Sequence, residues 1–308
     1  MIEIEALTRD FGPIRAVDQL SFTVSPGEVL GVLGPNGAGK STTMKLITGF
    51  LAPSAGRVRV FGSDIVQAPI VAQALLGYLP EGAPIYAEMT PRGMLGFVGR
   101  LRGMDRLRLR KRIAVVCERL SLQEIVRQPI GTLSKGFRRR VALAQAILHE
   151  PRGLILDEPT DGLDPNQKHE VRKLIRELAS DRIVIVSTHI LEEVEALCTR
   201  VIVMHRGRKL VDETPESLAR RSRYHGAVNV RFDQRISVTD LERLSTVRAA
   251  EPSDTEGRGW TLVTEDPSAL IAELRNGTLP RDLQVSELYI ERGRLDEVFR
   301  RLTTDADE

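Results

Sequence analysis

Val29-Leu30-Gly31-Val32-Leu33-Gly34-Pro35-Asn36-Gly37-Ala38-Gly39-Lys40-Ser41 is the stretch that decides the fold. The apolar run Val29–Leu33 is typical of a strand covered on both faces. The next eight residues, Gly34–Ser41, fit the pattern GxxxxGK[ST], which about one random chain in a hundred of this length would contain. A helix is predicted from about Lys40 to Thr48, so the glycine-rich loop joins a strand to a helix. This context favours a phosphate-binding loop over a ligand-free turn.

Each residue type in this loop has a chemical role. Glycines let the backbone curl so that its N–H groups surround phosphates, and the N-terminus of the following helix adds positive potential. Lys40 would place its charge on the outer phosphates of a nucleotide. The Ser41 hydroxyl would bind Mg²⁺. The sequence therefore predicts a site for a nucleotide and magnesium.

A second strand ends in two acids. Gly153-Leu154-Ile155-Leu156 is apolar and is followed by Asp157 and Glu158. In a parallel sheet such strand ends face the ligand crevice. Asp157 would hold Mg²⁺ through water, and Glu158 would polarise a water for attack on the γ-phosphate. Acids often end strands without any catalytic role, so the upstream phosphate loop is what makes this interpretation specific.

Composition sets the limits for the rest of the chain. The chain has 308 residues, 42% hydrophobic and 28% charged, with a net charge of +2. These values are ordinary for a globular protein and give no global attraction to nucleic acid or anionic membranes. Cys117 and Cys198 lie far apart, which favours two reduced thiols over a zinc site. The N-terminus does not resemble a signal peptide, and the longest uncharged stretch, 65–80, is too short to span a bilayer.

The order of elements predicts two domains. Strands at 29–33, 153–156, 183–186 and 201–204 alternate with helices, which indicates a mainly parallel α/β sheet. Alternating patterns at 2–7 and 20–24 predict strands ahead of this sheet, and 90–150 reads as a helical insertion. From about residue 221 the predicted order is βαββαβα, similar to a ferredoxin-like module. We therefore expect domains at 1–220 and 221–308, with the basic stretch 219–223 as the boundary.

Four further segments carry a resemblance to a known family. Leu133-Ser134-Lys135-Gly136-Phe137 precedes a helix and resembles the LSGGQ signature of ABC-type ATPases. Gly162-Leu163-Asp164-Pro165 is similar to their D-loop, and Ser187-Thr188-His189 to the segment that carries their switch histidine. Phe11, 23 residues before Gly34, matches the aromatic residue that stacks on adenine. The resemblance covers about residues 1–220.

The resemblance implies an α/β P-loop NTPase of ABC type, with N-terminal antiparallel strands, that hydrolyses ATP to power a membrane transporter. It implies two such subunits that close head to tail, each ATP lying between one phosphate loop and the partner's signature. A separately encoded membrane permease is the further partner, no nucleic acid is expected, and the location is cytoplasmic, at the inner face of the membrane. The implied sites fall into five groups: ATP contacts Phe11, Val17, Gly34, Pro35, Asn36, Gly37, Ala38, Gly39, Lys40, Ser41 and Thr42; catalytic Glu158 and His189; Mg²⁺ contacts Ser41, Asp157 and Glu81; partner-facing signature residues Leu133, Ser134, Lys135, Gly136 and Phe137; and D-loop Asp164.

Several residues have structural explanations as well. Ser134 at a helix N-terminus can be an N-cap, and capping and phosphate binding use the same groups. His189 can cap the next helix, and Phe11 can be a core residue. The chain also departs from the family pattern: Lys135 replaces Gly, Phe137 replaces Gln, and Glu81 stands where the Q-loop normally ends in Gln. We expect the segment 81–90 to meet the membrane partner.

The C-terminal module resembles an extension on bacterial ABC ATPases that serve separate permeases, often exporters of drugs, lipids or polysaccharides. Leu295-Asp296-Glu297-Val298-Phe299 matches their usual ending. Regulation and support of a homodimer are equally open roles for it. Two other functional classes remain: a soluble ABC ATPase of DNA repair or translation, which usually carries features absent from this sequence, and a regulator that gates a membrane enzyme.

Overall fold

The computed structural model describes residues 1–82, 85–275 and 283–306. The chain divides into two compact units, Met1–Thr214 and Pro215–Glu308. The expected boundary lies six residues later, at 220/221. The short helix after residue 214 belongs with the second unit because its last residue packs there: a Cβ on Gly293 would lie 2.1 Å from the carbonyl oxygen of Ala219.

The first unit contains a six-stranded sheet and a four-stranded antiparallel sheet. Its strands are β1 (Ile2–Phe11), β2 (Ile14–Val24), β3 (Val29–Leu33), β4 (Ala55–Val60), β5 (Ser63–Asp64), β6 (Leu76–Leu79), β7 (Gly153–Asp157), β8 (Ile183–Thr188), β9 (Arg200–His205) and β10 (Arg208–Glu213). The six-stranded sheet has the order β10-β9-β3-β8-β7-β6. All its pairs are parallel except β9 with β10, which confirms the mainly parallel sheet expected from the sequence.

The N-terminal strands are longer than their sequence pattern predicts. The antiparallel sheet has the order β2-β1-β4-β5, and its register shifts between Ile4 and Leu7. Ala6 and Gln19 adopt φ of 46° and 48°, so each strand is interrupted by a bulge that shifts the alternation of buried and exposed residues. Periodicity therefore detected only the halves at 2–7 and 20–24, and it missed the short β5 and the polar strand β10.

Seven helices lie around these sheets in the described part of the first unit: α1 (Lys40–Ile47), α2 (Pro69–Ala74), α3 (Pro91–Leu101), α4 (Arg106–Arg119), α5 (Lys135–Ile147), α6 (Pro165–Ala179) and α7 (Leu191–Leu197). Helices α3, α4 and α5 form the predicted helical region. Their apolar faces pack with β6–β8 and α6 in one core, with Leu95, Val116 and Ile147 buried at its centre.

The second unit is an antiparallel sheet with helices. Its elements are α8 (Pro215–Ala219), β11 (Val228–Phe232), α9 (Val238–Leu241), β12 (Ala249–Pro252), β13 (Gly259–Val263), α10 (Pro267–Arg275), β14 (Val285–Ile290) and α11 (Leu295–Asp305). The sheet order is β12-β13-β11-β14. The central strand β11 pairs with β13 and β14, as in a ferredoxin-like βαββαβ module. Within the described residues, no helix is both long enough and apolar enough to cross a bilayer.

The parallel strands place the predicted site at one edge of their sheet. Strands β3, β8 and β7 are neighbours, and their carboxyl ends lead into the glycine-rich loop, His189 and Glu158, respectively. Because parallel strands end at the same edge, segments far apart in sequence meet there.

Candidate functional site

The glycine-rich loop has a backbone that only glycine suits at two positions. Gly37 and Gly39 have φ of 82° and 98°. A Cβ on Gly39 would lie 2.4 Å from the carbonyl oxygen of Ala16, and one on Gly34 would lie 2.5 Å from that of Met204. The loop is therefore held against neighbouring backbone in the conformation that turns its N–H groups inward.

Lys40, the first residue of α1, is buried beneath this loop. Its Nζ donates to the carbonyl oxygens of Gly34 at 2.8 Å and Pro35 at 3.1 Å. Burial lowers the pKa of Lys40, while the nearby carboxylates of Glu158, Asp157 and Glu81 act in the opposite direction. The ammonium group thus lies among acids at the mouth of the phosphate loop, where it can move onto a phosphate.

The three residues predicted to bind Mg²⁺ converge. Ser41 Oγ donates to Asp157 Oδ1 at 3.2 Å and lies 3.4 Å from Glu81 Oε2. Asp157 is fully buried, and its Oδ1 also accepts from Ser187 Oγ. Its Oδ2 has no hydrogen-bond partner among the described residues. A buried carboxylate oxygen without a hydrogen-bond partner suits a hydrated cation. Two carboxylates and one hydroxyl are the hard oxygen donors that Mg²⁺ prefers.

Glu158 and His189 form a hydrogen-bonded pair. His189 Nδ1 lies 2.8 Å from Glu158 Oε1, with the histidine half-exposed and the carboxylate mostly covered. Glu158 adopts φ of 49°, a conformation that non-glycine residues seldom adopt, so neighbouring contacts must hold it. Its N–H donates to the carbonyl and hydroxyl oxygens of Ser187, both at 3.1 Å. The predicted base is thus fixed from β8 and oriented by the predicted histidine.

Two buried charged residues near this pair had not been predicted. The Glu193 carboxylate, in α7, accepts hydrogen bonds from the hydroxyls of Thr160, shortly after β7, and Thr188, the last residue of β8. Arg139, in α5, donates to the backbone carbonyls of Asp157, Glu158 and Pro159. In both helices the sequence shows a charged residue on an otherwise apolar face. Periodicity marks such a residue as an exception but does not identify the groups to which it will hydrogen-bond.

The signature segment Leu133–Phe137 lies at the N-terminus of α5. Ser134 is the N-cap, with its Oγ accepting from the N–H of Phe137 at 3.3 Å. Lys135 Nζ pairs with Asp161 at 2.9 Å, and its side chain lies over Gly162. Leu133 is buried and Phe137 packs against the same core. Within the described residues, no hydrogen bond or ion pair joins this segment to the glycine-rich loop of its own chain.

The remaining predicted residues differ in accessibility. Phe11 is 42% exposed, and the Arg9 guanidinium lies over one face of its ring, 4.6 Å from the centroid. Val17 is 0% exposed and belongs to the core. The nucleotide contact expected of Val17 stays a prediction, and the structure offers no exposed Val17 surface for it. Asp164 is the N-cap of α6, accepting from the N–H of Gln167 at 2.9 Å.

Comparisons with known proteins agree with this geometry. The ABC transporter family model matches residues 17–161. "Nod factor export ATP-binding protein I" from Ralstonia nicotianae is 33% identical over 98% of this chain and 94% of its own. "Daunorubicin resistance ATP-binding protein DrrA2" from Streptomyces coeruleorubidus is 32% identical over 98% and 94%.

A solved structure gives the same result for the fold. It is described as "Structure of ATP binding subunit of ABC transporter" and superposes with a TM-score of 0.67 at 28% identity, covering 72% of this chain and 92% of that one. Since these relatives align with nearly the whole chain at 32–33% identity, the chain belongs to the ABC transporter family, as an ATP-binding subunit that hydrolyses ATP.

Proposed function

We propose that this chain powers a membrane exporter through ATP-dependent, head-to-tail closure of two copies. The observation that carries the proposal is a division within the first unit. Five residues meet around the glycine-rich loop, and we call this group the catalytic edge: Lys40, Ser41, Asp157, Glu158 and His189. The signature segment is bonded elsewhere in its own chain. Half of an ATP site is thus assembled, and the other half is available to a second copy.

The residues of the catalytic edge, together with Glu81 and Phe11, divide the reaction between them. Ser41, Asp157 and Glu81 would hold Mg²⁺, which when bound offsets the phosphate charge. Lys40 would exchange its two carbonyl partners for the β- and γ-phosphates. Glu158 would accept the proton of the attacking water, and His189 would hold that carboxylate in place through its 2.8 Å hydrogen bond. Phe11, whose side chain is exposed, would stack on adenine.

The two-chain site is tested by mixing two inactive variants. A Ser134→Arg chain keeps its phosphate loop but cannot close on the partner's ATP, and a Lys40→Ala chain loses ATP binding. In their heterodimer one composite site carries both defects and the other carries neither, so part of the hydrolysis should return. If both groups served one ATP within a single chain, every site would carry one defect.

A cross-link gives an independent readout of the same arrangement. Cysteines placed at Ser134 of one chain and Gly37 of the other should join only when ATP is present. Absence of both the rescue and the cross-link would contradict head-to-tail closure. A Cys117→Ser, Cys198→Ser background removes the two native thiols from the assay.

A surface of the first unit suits the proposed permease. Between α2 and α3 lies an open cavity of about 480 Å³ lined by Gln73, Arg102 and His149 among others. Large apolar side chains stand exposed at its rim and close by: Phe50, Ile70, Val71 and Leu101. Tyr86 is also exposed, within the predicted contact segment 81–90, of which residues 83 and 84 lie outside the described part. An apolar patch of this kind on a water-facing domain is typical of a protein interface.

Export, rather than import, is proposed from the names of the two relatives, which concern Nod factor export and daunorubicin resistance. The proposed location is the cytoplasmic face of the membrane, with no nucleic acid as partner. The test is co-purification of the tagged chain from membranes, with identification of what accompanies it. A multispanning permease is the expected partner, and Ile70→Asp should release it. A membrane enzyme in its place would make this chain a regulator instead.

A further inference from the structure

Arg139 lies at an unusual place for a cation. It is 6% exposed, in the second turn of α5. Its Nη2 donates to the carbonyl oxygens of Asp157, at 2.5 Å, and Glu158, and its Nε to that of Pro159 at 3.4 Å. Its Nη1 donates to the carbonyl oxygen of Pro80 at 3.3 Å, directly before Glu81. One side chain therefore binds the backbone after both β7 and β6.

Burial at this position is unfavourable for a charge, and it lowers the pKa of Arg139 despite the surrounding acids Asp161, Asp157, Glu158 and Glu81. An apolar side chain would fill the same space without that cost. What only the guanidinium supplies is its set of donors in a fixed planar fork, which can bind several carbonyls of a turn at once. The geometry thus indicates a requirement for position rather than for packing.

The carbonyls that Arg139 binds belong to the peptide groups around the catalytic glutamate. Glu158 has a strained backbone, with φ of 49°. Its N–H is held by Ser187, from β8, and its carbonyl by Arg139, from α5. The direction of the Glu158 side chain consequently depends on where α5 stands relative to β7.

The other end of this connection is the signature segment. Ser134 caps α5, and Arg139 follows five residues later in the same continuous helix. Five residues of α-helix span only about 7.5 Å, and a helix moves as a rigid element. A displacement of Ser134 along the helix axis is therefore passed on to the guanidinium and the carbonyls that it binds.

We propose that Arg139 is a positioning residue that couples the two ATP sites of the dimer. This proposal rests on the proposed head-to-tail closure, in which Ser134 contacts the partner's ATP while Glu158 of the same chain acts on the ATP bound to its own phosphate loop. Engagement of Ser134 by the partner's ATP sets α5, and Arg139 then sets Glu158. A chain hydrolyses its own ATP at full rate only when its signature holds the ATP of the other chain.

The test is a double-mutant cycle in heterodimers with differently tagged chains. The partner carries Glu158→Gln, so it binds ATP and engages the signature of the test chain without hydrolysing. The test chain carries Arg139→Gln, Ser134→Arg or both. Each single change should lower hydrolysis about tenfold, the size expected for a coupling of this kind, and the double change should lower it no further. ATP affinity measured with a fluorescent analogue should stay within about twofold for Arg139→Gln.

Independent, multiplying losses in the double variant would show that Arg139 acts without the signature and would overturn the coupling. So would full activity in Arg139→Gln. Arg139→Lys keeps the charge without the fork and should restore only part of the rate, with native thermal unfolding. Arg112→Gln is the matched control, since Arg112 also donates to two carbonyls, Leu148 and Ile147, at the far end of α5. If Ser134→Arg homodimers remained active, the two-chain site itself would fail, which is a separate result.

Discussion

The catalytic edge and the signature segment lie in the same unit of the chain but are built differently. Lys40 and Asp157 are buried, and each residue of the catalytic edge is bonded to a neighbouring strand or loop. Ser134 and Lys135 are exposed, held by one capping bond and one solvent-exposed ion pair. The first region is preorganised within one chain, whereas the second offers a helix N-terminus to whatever approaches it. Preorganisation of charge is what catalysis requires, and exposure is what association requires.

Lys40→Ala should have the largest effect, because it removes the cation from the centre of the catalytic edge. We expect ATP affinity to fall by at least two orders of magnitude and turnover to become undetectable, as a desolvated charged contact to phosphate is lost. Calorimetric titration with ATP measures this directly. Lys45→Ala, one turn further along α1, is the control and should bind ATP normally. Unchanged ATP binding by Lys40→Ala, with a native circular-dichroism spectrum, would remove the basis for the phosphate-loop assignment.

Glu158→Gln should separate chemistry from binding. The side chain keeps its size, so the Lys40 and metal contacts persist, but a positioned base is lost and turnover should fall roughly 10²–10⁴-fold. Dimers should then accumulate in the presence of ATP, as seen by size-exclusion chromatography. Glu195→Gln, at an exposed position of α7, is the matched control. Retention of full hydrolysis by Glu158→Gln would assign the base elsewhere, with His189 the next candidate.

The same two regions show what the sequence can and cannot predict. The strand–loop–helix around Lys40 and the acids after β7 were predictable because their function depends on local backbone geometry and on strand ends. Arg139 and Glu193 were not, since their partners are carbonyls and hydroxyls far along the chain, and no periodic pattern encodes those. Val17 was assigned through resemblance alone, and packing in the core decides its accessibility.

The secondary structure divides in the same way, between elements that local sequence encodes and elements that tertiary contacts decide. For helices with clear apolar faces the sequence pattern predicts the bounds well: it predicts helices at about 166–179 and 191–197, and α6 and α7 begin and end within one residue of those positions. Strands β1 and β2 were predicted only in part, because bulges at Ala6 and Gln19 break the two-residue alternation on which the prediction depends. Strand β10 forms by pairing with β9 despite a polar sequence, which is a tertiary effect that local preference does not contain.

Lys135→Ala should have the smallest effect and sharpens the comparison most. It removes the ion pair with Asp161, whose partners are 64% and 49% exposed, so the free energy of unfolding at neutral pH should fall by at most about 1 kcal/mol. The hydrogen bond from Lys135 holds the pKa of Asp161 below its ordinary value. Asp161 is therefore a group whose stabilising contribution is present above its unfolded-state pKa and is lost as pH falls through the folded one.

The stability difference between the wild-type chain and Lys135→Ala should accordingly be present at pH 7 and disappear in acid, and added salt should reduce it. Urea unfolding at several pH values measures it, with Asp161→Asn as the matched variant that removes the other partner. The ATPase rate should change less than threefold, since the Ser134 hydroxyl and the Gly136 backbone remain. A loss of hydrolysis as large as that of Ser134→Arg, with the stability change still below about 1 kcal/mol, would mean that the Lys135 ammonium itself contacts the partner's phosphates. The signature segment would then be a charged part of the active site, and its contrast with the catalytic edge would hold for burial alone.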